Sequence, residues 1–163
     1  PFGIGSGAGV IFGVTGGVTE AVLRRLREGH NRADMEKIKF SGVRGEDGLK
    51  EVAFDYNGRT IRAAVVSGLG NANNLMKRIQ KGEAQYDFVE VMACRRGCIM
   101  GGGQPVPVDP ESRIARSKGI YDTDINTQIK KSNENPLVQS LYDGLLKGKT
   151  HELLHRNFEA AGK

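Results

Sequence analysis

Residues 87–105 read DFVEVMACRRGCIMGGGQP, and this stretch decides both the fold class and the candidate site. Its first part is a strand-like apolar run, and its second part carries Cys94 and Cys98, the chain's only cysteines. Two thiols four residues apart, followed by the glycines at 101–103, suit an inorganic cluster that the backbone approaches closely. A cubane iron–sulfur cluster usually takes four cysteine ligands, so half of such a site would lie outside this chain.

The residues before this stretch predict a β-α-β unit. An apolar strand at 63–66 ends in the turn 67–70, and residues 87–92 form the return strand. Between them we predict a helix at about 72–81, capped by Asn71 and burying Ala72, Leu75, Met76 and Ile79. Such crossovers are nearly always right-handed and make the two strands parallel. The cysteine loop should therefore leave the carboxyl end of a strand, where open α/β sheets place their sites.

Further elements are predicted on both sides of this unit. Asn57-Gly58, between apolar runs at 52–56 and 61–66, predicts a two-residue hairpin. An amphipathic helix is predicted at about 17–28, with Gly29 as its stop. Its expected core face consists of Val18, Ala21, Val22 and Leu26.

The last third of the chain reads as helical. Asp109-Pro110 and Asn135-Pro136 are each typical of a helix cap followed by a proline in the first turn. Apolar stripes follow at Leu137, Leu141 and Leu145, and then at Leu153 and Leu154. Together these elements predict an α/β fold, a twisted and mostly parallel sheet flanked by helices, as a single domain over residues 1–163.

Composition narrows the function classes. A charged fraction of 26% and a hydrophobic fraction of 38% are typical of a soluble globular protein, and no apolar run approaches a membrane span. The net charge of +5 comes with few aromatics and no basic stripe, which favours a solvated surface or an acidic partner over nucleic acid. No signal peptide is visible, and the cysteine usage favours a reducing compartment, so we expect a cytoplasmic location. The chain starts without Met, as expected of a piece cut from a longer polypeptide.

Two other motifs have simpler interpretations. Gly3, Gly5 and Ala8 fit a dinucleotide fingerprint, but no strand precedes them, so a closely packed glycine-rich turn is favoured. Residues 151–155 read HELLH, the pattern of a zinc peptidase helix. The one other histidine is His30, far away in sequence, and Leu153 and Leu154 favour a terminal helix docked on the core.

The cysteines also have two interpretations. An isolated cysteine is most often a small buried hydrophobe. The spacing of Cys94 and Cys98, and the glycines whose amides can reach sulfur, favour half of an iron–sulfur or other soft-metal site.

Residues 90–105 closely resemble the third cluster-binding motif of the iron-only (FeFe) hydrogenases, E-x-M-A-C-x-x-G-C-x-x-G-G-G-Q-P. Residues 6–21 are similar to that family's segment S-G-A-G-x-I-F-G-x-T-G-G-V-M-E-A. The tail is similar as well, at Asn135-Pro136, Leu141-Tyr142 and the HELLH segment. The resemblance covers essentially the whole chain.

The resemblance implies one lobe of a two-lobed catalytic domain that clasps the H-cluster, a cubane 4Fe-4S cluster bridged to a di-iron site. This chain would be the C-terminal lobe. Cys94 would ligate the cubane, and Cys98 would ligate it and bridge to the di-iron site. Met92 would line the catalytic pocket with Phe12 and Gly13. The implied reaction is the reversible reduction of protons to dihydrogen.

The glycines after the second cysteine complete the implied site. Gly101 and Gly102 would bring their backbone close to the cofactor, where amides can bond to sulfur. Within residues 6–21 one position departs from the family pattern, because Thr19 stands where the family usually has Met. Further departures are a shortened segment at 146–150 and His155-Arg156-Asn157-Phe158 in place of H-T-x-Y.

The family's two earlier motifs, T-S-C-C-P and M-P-C-x-x-K, are absent from this sequence. They carry the other two cubane ligands, a proton-relaying cysteine and a lysine that holds a cyanide. We therefore expect the isolated chain to be inactive and without metal. The implied partners are the N-terminal lobe, its ferredoxin-like domains, and a redox partner, either ferredoxin or NAD(P)H-linked subunits.

A non-catalytic function is the alternative. Eukaryotic cytosolic iron–sulfur assembly proteins resemble these hydrogenases and share a similar cysteine motif without the di-iron site. In that case the cysteines would hold a cubane for cluster assembly, electron transfer or hydrogen sensing.

Overall fold

A computed structural model of the chain describes residues 3–26, 48–106 and 109–155. The helices in these ranges are α1 (Gly7–Val10), α2 (Gly17–Leu26), α3 (Leu69–Gln80), α4 (Pro110–Asn126), α5 (Pro136–Asp143) and α6 (Thr150–Leu154). The strands are β1 (Leu49–Tyr56), β2 (Arg59–Ser67) and β3 (Phe88–Met92). Short 3-10 turns lie at Ile11–Gly13, Cys98–Met100 and Ser132–Glu134.

The predicted α/β class is confirmed by a three-stranded sheet in the order β1-β2-β3. β1 and β2 pair antiparallel, and β2 and β3 pair parallel. The hairpin turn is the predicted one, with Asn57 and Gly58 both at positive φ (49° and 74°). Positive φ at both central residues gives the turn the twist that the flanking strands need. The hairpin and the parallel pair are the predicted ones, but one of the two pairings is antiparallel, so the described sheet is mixed and not mostly parallel.

The predicted β-α-β unit is confirmed, but its helix starts earlier than expected. α3 begins at Leu69, and its cap is Gly68 at φ 88°. The prediction of Asn71 as the cap was wrong, because its side-chain amide donates to the carbonyl of Ser67 (2.7 Å) from inside the first turn. Ala72 and Leu75 pack against β2 as predicted, whereas Met76 is 51% exposed.

The buried face of α2 is not the one that the apolar pattern predicted. Val18, Ala21, Val22 and Leu26 are all half-buried. The buried residues of the helix are Gly17, Thr19, Glu20, Leu23 and Arg24. The polar members bury because they have partners, which local periodicity does not show. The predicted stop at Gly29 lies outside the described residues.

Arg24 is the centre of a buried ion cluster that joins α2 to α4. Its guanidinium donates to both carboxylate oxygens of Asp124 (2.7 Å each) and to Oε1 of Glu20 (2.6 Å). Desolvation lowers the pKa of Arg24, but the hydrogen bonds to Asp124 and the charge of Glu20 outweigh it, so the net pKa is raised. Removing one member of such a cluster is costly, since charge is then left buried without that partner.

Both predicted helix caps in the last third are confirmed. Asp109 caps α4 by accepting from the amide of Ser112 (2.6 Å), and Asn135 caps α5 by accepting from the amide of Leu137 (2.9 Å). The hydrogen bond from the Ser112 amide lowers the pKa of Asp109. These caps fix where the two helices begin.

The C-terminal apolar residues are exposed. Leu145, Leu153 and Leu154 are 72%, 50% and 51% exposed, so the prediction that α6 docks through its leucines was wrong. His151 and His155 place their rings 4.6 Å apart. No group of three or more metal-ligating side chains occurs among the residues that the structure describes. None of the described helices is long and apolar enough to cross a membrane.

Candidate functional site

The candidate site lies where β3 ends. Met92, half-buried, is the last residue of the strand, and its carbonyl accepts from the amide of Gly68 (2.8 Å). Cys94 and Cys98 follow, and both are exposed free thiols. The structure thus places the cysteines at the carboxyl edge of the parallel strands, as predicted.

The loop between the cysteines is a tight turn held by its backbone. Arg96 and Gly97 have positive φ (67° and 87°), and the amide of Gly97 donates to the carbonyl of Cys94 (3.2 Å). The amide of Arg96 donates to the hydroxyl of Ser67 (2.8 Å), which ties the turn to the end of β2. The thiols therefore stand on a braced loop.

The segment that carries Phe12 and Gly13 packs against this loop at Gly97. A Cβ at Gly97 would lie 2.8 Å from the carbonyl oxygen of Gly13 and 3.0 Å from the amide of Thr15. Only glycine allows this close approach, and positive φ at 97 also favours it. Phe12 is 46% exposed. The segment that carries Phe12 and Gly13, called the Phe12-Gly13 wall below, therefore contacts the cysteine loop at Gly97, although the two lie far apart in sequence.

The predicted glycine residues have different surroundings. A Cβ at Gly101 would lie 3.2 Å from the thiol sulfur of Cys94, so glycine there lets the backbone pass close to sulfur. A Cβ at Gly13 would lie 2.7 Å from the terminal methyl group of Ile120 on α4, so that side chain would have to shift to admit a larger residue. A Cβ at Gly102 would meet no described atom within 4 Å, and this glycine is exposed. Neighbouring side chains therefore crowd the Cβ positions of Gly13 and Gly101, whereas the position at Gly102 is open.

Glu90 is a residue of the site that sequence reasoning missed. It is 5% exposed, and its carboxylate accepts from the amides of Gly16 (2.8 Å) and Thr19 (2.7 Å) and from the hydroxyl of Thr19 (2.7 Å). The available signal was a lone carboxylate inside an apolar strand, since such a group is buried only with partners. Glu90 joins β3 to the start of α2.

Arg116 on α4 holds the other end of the cysteine loop. Its guanidinium donates to the carbonyls of Ile99 (3.0 Å) and Pro105 (2.6 Å). Ile99 also packs with Ile11 and Val14 in one buried cluster. The residues on both sides of Cys98 are therefore anchored to the lobe.

The donor set fits half of an iron–sulfur cluster. Thiolate is the usual ligand of such clusters, both thiols are exposed, and the sulfur of Cys94 lies beside Gly101, whose missing side chain leaves room for it. The described residues supply these two ligands, and a cubane needs two more. Cys94 and Cys98 could therefore hold one side of a cubane that another part of the protein completes.

Comparison with known proteins assigns the family. Residues 1–102 match the model of the family described as "Iron only hydrogenase large subunit, C-terminal domain", and residues 110–161 match "Iron hydrogenase small subunit". The chain is 39% identical to Iron hydrogenase 1 of Clostridium pasteurianum and 40% identical to the NADP-reducing hydrogenase subunit HndD of Solidesulfovibrio fructosivorans. These alignments cover 94% and 97% of this chain but 28% of each relative.

A solved structure shows the same fold. A variant of the FeFe-hydrogenase of Chlamydomonas reinhardtii matches with a TM-score of 0.66 at 37% identity, over 99% of this chain and 48% of that one. The chain belongs to the iron-only hydrogenase large-subunit family, and it corresponds to the C-terminal lobe.

Proteins with other names match too. The Cytosolic iron-sulfur assembly component 3 of Rattus norvegicus is 31% identical over 93% of this chain. The family therefore includes hydrogenases and proteins named for iron–sulfur assembly. Membership of the family therefore does not by itself distinguish a hydrogenase from an iron–sulfur assembly protein.

Proposed function

We propose that this chain forms the C-terminal lobe of an iron-only hydrogenase, which reversibly reduces protons to dihydrogen at an H-cluster. The lobe is proposed to be a single domain over residues 1–163. The observation that carries the proposal is the braced loop with two exposed thiols, seated on the segment that bears Phe12 and Gly13. The bound cofactor would supply the redox chemistry of proton reduction.

The residues of this lobe have distinct proposed tasks. Cys94 would hold the cubane, and Cys98 would hold both the cubane and the di-iron site. Gly101 and Gly102 would let the backbone reach the cofactor. The amide of Gly101 donates to the carbonyl of Cys98 (3.1 Å), so a hydrogen bond from an amide to sulfur is proposed for Gly102. Met92 and Phe12 would cover the reacting side with apolar surface and exclude water, and the backbone of Gly13 would lie beside them.

The other half of the site is proposed to come from the N-terminal lobe. Two further cysteine ligands are needed there, so the isolated chain is expected to be inactive and to bind little iron. Electrons would arrive through ferredoxin-like domains, from ferredoxin or from NAD(P)H-linked subunits. The relative named as NADP-reducing supports a nicotinamide-linked partner, with NADP as the electron acceptor in that protein.

A cytoplasmic location is proposed from the use of both cysteines as free thiols. One relative, of Nitratidesulfovibrio vulgaris, is named as periplasmic, so the location differs within the family. Fractionation of cells that carry the natural protein tests this part.

A specific test uses the natural full-length protein, matured without oxygen, and its Cys98→Ala variant. Hydrogen evolution should fall to background in the variant, because Cys98 is proposed to join both parts of the cofactor. Met92→Leu should keep the iron content and change the rate or the inhibition by CO. Loss of iron in Met92→Leu would show that Met92 supports the fold of the loop instead.

A second candidate function is a cluster-carrying protein without the di-iron site. It is favoured by the similarity to the iron-sulfur assembly component. Infrared bands of bound CO and cyanide separate the two functions. A fully matured protein that shows a cubane signal without these bands would contradict the hydrogenase proposal.

A further inference from the structure

The carboxylate of Glu90 occupies the N-terminus of α2. α2 begins at Gly17, and the carboxylate accepts the amides of Gly16 and Thr19 on either side of that start. The first amides of a helix have no partners within the helix and carry partial positive charge, so an anion there is stabilised. β3 therefore supplies, from 71 residues away, the group that α2 needs at its first turn.

Thr19 adds a third hydrogen bond, and this bond depends on the side chain. Its hydroxyl donates to Oε2 of Glu90 at 2.7 Å, and Thr19 itself is buried. The family segment that residues 6–21 resemble has Met at this position, and a thioether has no proton to donate. In this chain, the carboxylate is thus held by a bond that a methionine cannot form.

The bond joins the two segments that face the proposed cofactor. Glu90 lies two residues before Met92 and four before Cys94 on the same strand and loop. Thr19 lies in the first turn of α2, just after the segment 11–15, against which Gly97 packs. The segments are therefore linked at the Gly97 contact and at the Glu90–Thr19 pair.

We propose that Thr19 is a positioning residue, whose hydroxyl, acting through Glu90, sets the separation between the Phe12-Gly13 wall and the cysteine loop. The inference rests on the proposed function, because the separation matters only where both segments touch one cofactor. A hydrogen bond to a charged group is stronger and shorter than a neutral one, so it restrains the pair well.

The test compares four variants of the natural full-length protein. Thr19→Val removes the hydroxyl at nearly constant volume, Thr19→Ser keeps it, and Thr19→Met installs the residue usual in the family. Thr60→Val is the matched control, since Thr60 also donates to a carboxylate, that of Asp55 (2.8 Å), but on the exposed hairpin. Two readouts are amide hydrogen exchange at positions 16 and 19 and the infrared bands of CO and cyanide.

Loss of the hydroxyl should speed exchange at both positions about tenfold in Thr19→Val and Thr19→Met. The infrared bands should shift or broaden in the same two variants. Thr19→Ser and Thr60→Val should resemble the parent protein in both readouts. Identical spectra and exchange in Thr19→Val and Thr19→Ser would overturn the proposal, and so would an equal spectral shift in Thr60→Val.

A failure of the proposed function is distinguishable from a failure of this inference. If the matured parent protein has no CO or cyanide bands, the hydrogenase proposal fails, and exchange alone decides about Thr19. Faster exchange in Thr19→Val then supports the restraint of the cysteine loop, and unchanged exchange overturns it. Glu90→Gln provides a second probe, because it replaces one carboxylate oxygen with an NH2 group. That group would face at least one of the three donors that now bond to Glu90, the amides of Gly16 and Thr19 and the hydroxyl of Thr19, and one hydrogen bond would be lost.

Discussion

The cysteine loop and the C-terminal helices are built in opposite ways. The strand that leads into the loop carries the buried Glu90, which accepts three hydrogen bonds, and the neighbouring α2 is joined to α4 through the buried Arg24. α5 and α6 contain no buried residue among those described, and their neighbourhood exposes Leu145, Leu153 and Leu154. The comparison teaches that this lobe braces its cysteine loop by itself, whereas its C-terminal apolar surface is not covered by the described residues.

The largest expected effect comes from removing Arg24 from the buried ion cluster that joins α2 to α4. Arg24→Met keeps much of the side-chain volume but leaves Glu20 and Asp124 buried without this cation. We expect a loss of about 3–5 kcal/mol in the free energy of unfolding, measured by denaturant titration.

The matched control for that change is Arg59→Met. Arg59 pairs with Asp87 on the surface, with its side chain 73% exposed, so its removal should have little effect. Equal losses in the free energy of unfolding would show that the buried cluster stabilises the chain no more than an exposed ion pair does.

A smaller, pH-dependent effect is expected where α4 connects the two regions. The pKa of Asp109 in the folded chain is lowered, mainly by the hydrogen bond from the Ser112 amide. Its stabilising contribution is therefore complete above the ordinary value of 3.8 and is lost as the pH falls through the lower folded value.

The Asp109→Asn variant tests this dependence. Asparagine still caps a helix but does not ionise. Thermal melts of the variant should show less acid sensitivity than the parent protein in that window. If the variant and the parent lose thermal stability equally as the pH falls, other carboxylates are responsible for the loss.

The smallest effect is expected at the C-terminal surface. Leu153→Ser should change the free energy of unfolding by no more than about 0.5 kcal/mol, because the side chain is already half-exposed. Leu75→Ala, at a fully buried position, should cost about 2–5 kcal/mol in the same denaturant titration. A large loss in Leu153→Ser would show that the exposed leucines are covered in solution.

The local parts of this fold were predictable from sequence. The Asn57-Gly58 turn, the β-α-β unit and the caps Asp109 and Asn135 follow from a few adjacent residues, and the structure confirms them. The placement of both cysteines at the sheet edge followed from the same reasoning. These features depend on local conformation, which sequence patterns reflect directly.

The parts that were missed depend on distant partners. α2 buries Glu20 and Arg24 because Asp124 lies opposite, 100 residues further along the chain. A pattern that assigns charged residues to the surface therefore selected the wrong face of the helix. Glu90 was missed for the same reason, since its partners lie 71 and 74 residues away.

The glycine-rich beginning of the chain depends on residues near the other end. The amides of Gly7 and Ala8 donate to the carbonyls of Ile129 and Lys130, and the side chain of Asn135 donates to the carbonyl of Ile4 across 131 positions. On the ribosome, the N-terminal segment must therefore wait until Asn135 has emerged before its partners exist. The β-α-β unit with its cysteines can form earlier from local contacts. During synthesis, Cys94 and Cys98 can thus reach the end of their strand before the segment around Gly7 and Ala8 finds its partners.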